Sequence, residues 1–331
     1  MSCARPGYDG RVNSCWRLAG VVAVTAAALV AAGPAGPAAA SSGPPLRTPE
    51  DVLDAALSCT WADAARAHEP VLLVHGTGAT PEENWGWNYG RALPAAGFDT
   101  CTVTMPNRTL GDIQVSAEYV VHAVRVVAAV TGRPVDVVGH SQGGLEPRWA
   151  VKWWPDVRAA VDDLVMLGTP NHGAAAADVV GVAGCTGSCL QMQHGSRFLR
   201  ALNDGDETPG AVSFTSVSTQ FDELVQPQRS ARLDGGTNLS VQSLCPGRPV
   251  EHLGLVADAV VHDAVIDALT HPGGAVPSRF FAPSDCLRTV FDGADPVALA
   301  PIGLRELLDG NPPPDPGITP TEPRLAPYAR P

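Results

Sequence analysis

Ser141 lies at the centre of Gly139-His140-Ser141-Gln142-Gly143, directly after the run Val135-Asp136-Val137-Val138. The short β-branched run reads as a buried parallel strand, and Gly143–Trp154 reads as a helix. Strand, tight turn and helix form the setting in which Gly-x-Ser-x-Gly becomes a nucleophile elbow. So sharp a turn forces the serine into a strained backbone and lifts its hydroxyl above the sheet edge. The flanking glycines, having no Cβ, let strand and helix approach closely. In a chain with 34 glycines the pentapeptide alone is a weak signal, and the elements around it carry the reading. A serine presented this way attacks carbonyl carbon, given a histidine to take its proton and a carboxylate to orient that histidine.

On this fold the order along the chain is serine, acid, histidine. Asp222 follows the predicted strand Ala211–Ser218 and is the candidate acid. Asp204, Asp206 and Asp234 lie in Gly-rich loops away from a strand end, and Glu223 is the adjacent alternative. His252 follows the predicted last strand, Asn238–Leu244, and is the candidate base. His262 lies inside the predicted closing helix Val256–Leu269, where a surface position is expected, and His271 comes after it. A second signal is the apolar run Val71–Val74 ending in His75-Gly76-Thr77-Gly78. The loop after such a strand supplies one N–H of an oxyanion hole. Thr77, by its backbone N–H and with its hydroxyl as a further donor, and Gln142, the residue after the nucleophile, are therefore the candidate oxyanion donors. His140 is expected to shape the cleft and His172 to line its rim.

The elements that must hold these residues alternate. A helix is expected over Pro49–Leu57 and strands over Val71–Val74 and Thr100–Met105. Asp112–Thr131 reads as an amphipathic helix that stops at Gly132, and Val161–Leu167 reads as a further strand. Alternation of this kind implies βαβ units and a mostly parallel sheet flanked by helices, an α/β architecture. Ala174–Leu190 is small, apolar and without strand character, and is the candidate pocket wall or lid.

Arg5, Arg11 and Arg17 precede the apolar stretch Leu18–Ala32, and Ala38-Ala39-Ala40 follows. This is the pattern of a secretory signal with cleavage near Ala40; the apolar run is too short for a permanent membrane anchor. The expected domain plan is a signal over 1–40, a mobile Pro/Ser-rich lead-in and short helix over 41–60, a catalytic domain over 61–310 and a Pro-rich tail over 311–331. The chain carries a formal charge of −12 and Lys152 is its only lysine. No basic patch is present, so no nucleic-acid partner is expected. Six cysteines follow the signal: Cys59, Cys101, Cys185, Cys189, Cys245 and Cys286. An even number in an exported chain predicts three disulfides, with fifteen connectivities open. No Cys-x-x-Cys or His pair stands at ligand spacing, so neither a metal nor another cofactor is expected.

With these residues in place the chain resembles the secreted α/β-hydrolase lipases, from about Pro70 to Leu269. The matching stretches are Pro70–Gly78, Gln114–Val120, Ser141–Leu145, Asp222–Gln228 and the loop around His252, with an echo at Pro327–Pro331. The resemblance implies Ser141, Asp222 and His252 as the triad and Thr77 and Gln142 as the oxyanion hole. It also implies disulfides Cys59–Cys101 and Cys245–Cys286, leaving Cys185–Cys189 as a pair of this chain's own. Two positions depart from a yeast member of the family: His140 stands where that enzyme has a pocket tryptophan, and Asn171 where it has a carboxylate. Both are candidate pocket residues, and a wider, more polar alcohol side is expected. The expected function is a triacylglycerol lipase acting as a monomer on lipid or ester substrates, also at a lipid–water interface. A short-chain esterase or polyesterase with the same triad is the alternative. A hydrolase-like binding protein that has lost catalysis is disfavoured, because all three triad members are present in order.

Overall fold

The computed structural model describes residues 42–62, 68–182, 184–297 and 317–330. The expected signal segment over 1–40 and the first part of the expected tail lie outside the described residues. Among the described residues seven strands form one sheet: β1 (Leu57–Thr60), β2 (Val71–Val74), β3 (Thr100–Val103), β4 (Val135–His140), β5 (Val161–Leu167), β6 (Ser213–Ser218) and β7 (Thr237–Ser240). Their order is β1-β3-β2-β4-β5-β6-β7. Only β1 runs antiparallel, on β3; every other pairing is parallel. β2 and β4 are neighbours, with Val74 opposite Gly139, so the ends carrying Thr77 and Ser141 emerge side by side.

The two-residue period of a strand sends alternate side chains to opposite faces, and the sheet has two cores to match. Leu72, Val74, Val137, Leu164 and Met166 pack with the Ile113–Thr131 and Leu145–Trp153 helices. Val71, Leu73, Val138, Val165 and Leu167 pack with the Ala259–Thr270 helix. The Ile113–Thr131 helix begins where Asp112 caps the N–H of Gln114 (3.0 Å) and ends at Gly132, whose φ of 67° a glycine adopts without strain.

Three expectations are corrected. The lead-in is pinned: Glu118 Oε2 accepts the N–H groups of Arg47 (2.9 Å) and Thr48 (2.8 Å), and Trp154 Nε1 donates to Pro44 O (2.7 Å). The last strand is shorter than Asn238–Leu244, because the chain turns helical at Val241–Leu244. His262 is half-buried and stacks on Phe291, with ring centroids 4.1 Å apart. Near the other terminus, Tyr328 sits among Trp149, Trp153 and Trp154 and accepts a hydrogen bond from Trp149 Nε1 (3.1 Å). All three expected disulfides are formed: Cys59–Cys101, Cys185–Cys189 and Cys245–Cys286.

Candidate active site

β4 ends at His140 and the chain turns through Ser141–Gly144 into the Leu145–Trp153 helix. Ser141 has φ 57°, the left-handed conformation that a non-glycine residue adopts only under strain. The glycines around it cannot be replaced without movement. A Cβ on Gly139 would lie 2.2 Å from Gly143 O, and one on Gly143 would lie 2.3 Å from Val74 O. These contacts seat the elbow against β2 and fix Ser141 relative to the Gly76–Gly78 turn.

His252 stands at the head of a short 3₁₀ turn, Leu253–Val256. Its Nδ1 is 2.8 Å from Asp222 Oδ2, and both side chains are buried. Asp222 Oδ1 in turn accepts the N–H groups of Leu224 (2.9 Å) and Val225 (2.7 Å). Burial alone would raise the Asp222 carboxyl, but the His252 hydrogen bond and charge, helped by those two N–H groups, hold it below the usual carboxylate range. The acid is thus ionised and fixed, and keeps the Nδ1 proton on His252. The other ring nitrogen, Nε2, is buried without a hydrogen-bond partner, and His252 shares with Ser141 the wall of a cavity of about 270 Å³. Gly168 supports this ring: a Cβ there would come within 3.2 Å of His252 Cε1 and Nδ1.

His140 also lines the cavity. Its Nδ1 lies 3.1 Å from Asn84 Oδ1 and its Nε2 lies 3.2 Å from the His252 carbonyl oxygen. Burial lowers its pKa to about 3, so the ring is neutral and its single N–H serves one of these two acceptors. His140 thus packs between Asn84 and the loop that carries His252. Asn84, which sequence reasoning missed, is the hub: its Oδ1 also accepts the N–H of Gly76 (2.9 Å). No sequence signal marks it, since Pro-Glu-Glu-Asn-Trp reads only as a capped polar turn.

The rest of the cavity is apolar. Ala174, Ala176, Ala177, Val180 and Cys189 come from the segment expected as wall or lid, which folds as two short helices, Ala175–Gly181 and Gly187–Gln191. Met192, Leu224, Val225 and Leu253 complete it. Val180 is 60 % exposed and Leu253 57 % exposed, so the rim is greasy on its outer side. A second cavity of about 360 Å³ shares Thr77, Ala79, Asn84, His140 and Leu253 with the first and adds Trp87, Glu83 and Arg108. Glu83 and Arg108 form an ion pair at its wall.

Asn171 does not reach the cavity. Its Oδ1 accepts from the buried Arg148 (3.1 Å) and its Nδ2 donates to Ala231 O (2.7 Å). Arg148, carried inward by the elbow helix, must find acceptors, and Asn171 supplies one. His172 likewise faces away, paired with Glu207 at 2.9 Å. Among the described residues Asp136, Asp162 and Asp163 bring carboxylate oxygens within 4.8 Å of one another. They lie at the start of β4 and β5, the end of the sheet away from Ser141.

The mostly parallel, seven-stranded sheet agrees with the comparisons. The family model for lipase (class 2) matches residues 68–241. Lipase B of Pseudozyma antarctica is 31 % identical over 280 residues, covering 81 % of this chain and 80 % of that protein. The crystal structure of Aspergillus fumigatus lipase B superposes with a TM-score of 0.80 at 29 % identity, covering 88 % of this chain and 74 % of that one. The chain, an α/β-hydrolase and a carboxylic-ester hydrolase, belongs to the class 2 lipase family.

Proposed function

We propose that this chain is a secreted triacylglycerol lipase working through an acyl-enzyme on Ser141. The observation that carries the reading is the Asp222–His252 pair at 2.8 Å beside a left-handed Ser141 on one apolar cavity. In the reaction His252 Nε2 takes the Ser141 Oγ proton as that oxygen bonds to the ester carbonyl carbon. Asp222 holds the imidazole and stabilises its cationic form. The backbone N–H groups of Thr77 and Gln142 receive the tetrahedral oxyanion, each worth roughly 3–4 kcal/mol in reactions of this kind. The ester C–O bond then breaks, the alcohol leaves with the proton from His252, and the acyl group stays on Ser141. Water, giving its proton to His252, releases the acid and restores the serine.

The acyl chain lies against Ala174, Ala177, Val180, Met192 and Leu224, and the alcohol faces Glu83 and Arg108 in the second lobe. The exposed Val179, Val180, Val182 and Leu253 rest on the lipid surface. Three disulfides and the signal expected from the N-terminus support a site of action outside the cell. The second reading, a short-chain esterase or polyesterase, is favoured by the acyl-side volume of about 270 Å³, just below the ~300–1,000 Å³ usual for ligand sites. Hydrolysis of p-nitrophenyl esters from acetate to palmitate, and of emulsified tributyrin and olive oil, separates the two. A lipase reaches the long chains and the emulsions, and the esterase stops at short soluble esters. Ser141→Ala must abolish both; residual turnover in that variant overturns the assignment.

A further inference from the structure

At the end of the sheet away from Ser141, β4 and β5 are out of step: Val135 pairs with Val161, but Val137 pairs with Leu164. Two residues of β5, Asp162 and Asp163, therefore stand against one residue of β4, Asp136. This is a β-bulge, a feature rare between parallel strands. In a regular strand consecutive side chains point to opposite faces. Here a carboxylate oxygen from each of the three aspartates lies within 4.8 Å of the other two. Asp136 Oδ1 holds the bulged backbone by accepting the N–H of Asp163 (3.2 Å).

The remaining oxygens point to a ligand. Asp136 is 1 % exposed and Asp163 5 % exposed. Among the described residues Asp136 Oδ2 and Asp163 Oδ1 are buried without a hydrogen-bond partner. Folded proteins seldom leave one buried polar atom unsatisfied, and here two such atoms meet beside a third carboxylate. Arg133 is committed to Glu69 Oε1 (3.1 Å) and to the His68 carbonyl. The cluster is also reachable: Asp162 and Asp163 line a cavity of about 510 Å³, with Glu69, Ser213 and His271 among its other walls.

We propose that Asp136, Asp162 and Asp163 form a calcium-binding site that clamps the start of the nucleophile strand to β5. All three donors are hard oxygens, which suit calcium or magnesium rather than a transition metal. Oxygens at the ~2.3–2.6 Å of calcium ligands lie at most ~5 Å apart across the ion, and the 4.8 Å spread of this cluster meets that limit. Calcium tolerates the irregular geometry that two adjacent residues of one strand impose, where magnesium demands a near-ideal octahedron. Water from the cavity completes the ~6–8 oxygens that calcium takes. In calcium-free protein the same oxygens hold protons, since burial raises the Asp136 and Asp163 carboxyls to about 9 and about 8. Oxygen ligands shared between two strands leave no mark in the sequence comparable to a Cys-x-x-Cys or His pair. The site bears on stability, and its failure would leave the Ser141 assignment untouched.

The test is a series of thermal melts of chelator-treated protein at neutral pH, with rising calcium chloride and with potassium chloride at matched ionic strength, alongside calorimetric titration with calcium chloride. One calcium is expected to bind with a Kd of ~0.1–1 mM, the range of extracellular calcium modules. At ~10 mM calcium the Tm should rise by roughly 3–10 °C. Asp136→Asn should abolish the rise, and Asp162→Asn, at an exposed position, should weaken binding at least about tenfold. Glu50→Gln/Asp51→Asn, which removes two exposed charges from a helix start, should respond as the wild type does. A wild-type Tm that is the same in calcium and in EDTA overturns the proposal and leaves the aspartates as a protonated cluster. A rise matched by potassium chloride, one lost equally in Glu50→Gln/Asp51→Asn, or one kept in full by Asp162→Asn also overturns it. Should Asp136→Asn fail to fold, Asp162→Asn decides alone.

Discussion

Replacing Gly143 by alanine tests how tightly the elbow is seated. The added Cβ would lie 2.3 Å from Val74 O and 2.6 Å from His75 O. Both obstacles are backbone atoms of the central strand and its exit, so neither can rotate away. Ordinary contact for such a pair is about 3.5 Å, and the elbow must therefore withdraw from β2 by roughly 1 Å. That withdrawal carries Ser141 and the Gln142 N–H away from Thr77, which stays with β2. A misplacement of about 1 Å between reacting groups costs on the order of 10²-fold in rate. Overpacking of this kind costs about 1–3 kcal/mol, which for a domain of this size is a Tm loss of roughly 3–10 °C. Gly97→Ala is the matched control. Gly97 has φ 89° with nothing within 4 Å of an added Cβ, so only the left-handed backbone is penalised, by about 1–2 kcal/mol, and kcat is unchanged. Purified proteins compared by kcat on p-nitrophenyl butyrate and by thermal melts decide it. A Gly143→Ala enzyme within threefold of wild-type kcat, or a Gly97→Ala enzyme as impaired, would refute the reasoning.

Asp222→Asn leaves the shape of the site but no longer holds the Nδ1 proton on His252; kcat should fall by ~10³–10⁴-fold with the melting temperature nearly unchanged, read from steady-state kinetics and melts together. Burial raises the carboxyls of Asp136 to about 9, and of Asp163 and Glu146 to about 8. Because the folded values lie above the unfolded ones near 4, this contribution is present in full below pH 4, is lost progressively as pH rises above it, and is gone above about pH 9. Urea melts across pH 5–10 should therefore show stability falling up to about pH 9 and levelling beyond it, and Asp136→Asn should flatten that fall. The Cys245–Cys286 and Cys185–Cys189 bridges span 41 and 4 residues. Loop-closure entropy then predicts a loss of about 4 kcal/mol on removing the first pair and about 2 kcal/mol on removing the second, measured by urea titration of the double serine variants.

The parts of this site that could be read in advance are those written in local chemistry. The Gly-x-Ser-x-Gly turn and the His75–Gly78 strand end are legible because each needs particular residues within a few positions of the reacting atom. Strand β1 was not anticipated: its half-exposed Leu-Ser-Cys-Thr has no apolar run and is an edge only because β3 lies beside it. The last strand was read too long, since Val241 and Leu244 extend an apolar pattern that serves a helical turn equally well. Asn171 was misplaced because its surroundings are set by Arg148, 23 residues away. Asn84 acts through partners brought together by the sheet order, and no spacing along the chain announces it.

Tyr328, wedged among Trp149, Trp153 and Trp154, follows Ser141 by 187 residues. Trp149 and Trp153 belong to the helix that leads out of the nucleophile turn. A ribosome adding ~5–20 residues per second needs roughly 10–40 s to travel from the serine codon to the tyrosine codon. For that interval the helix behind the nucleophile stands without its aromatic brace, and a chain released early never acquires it.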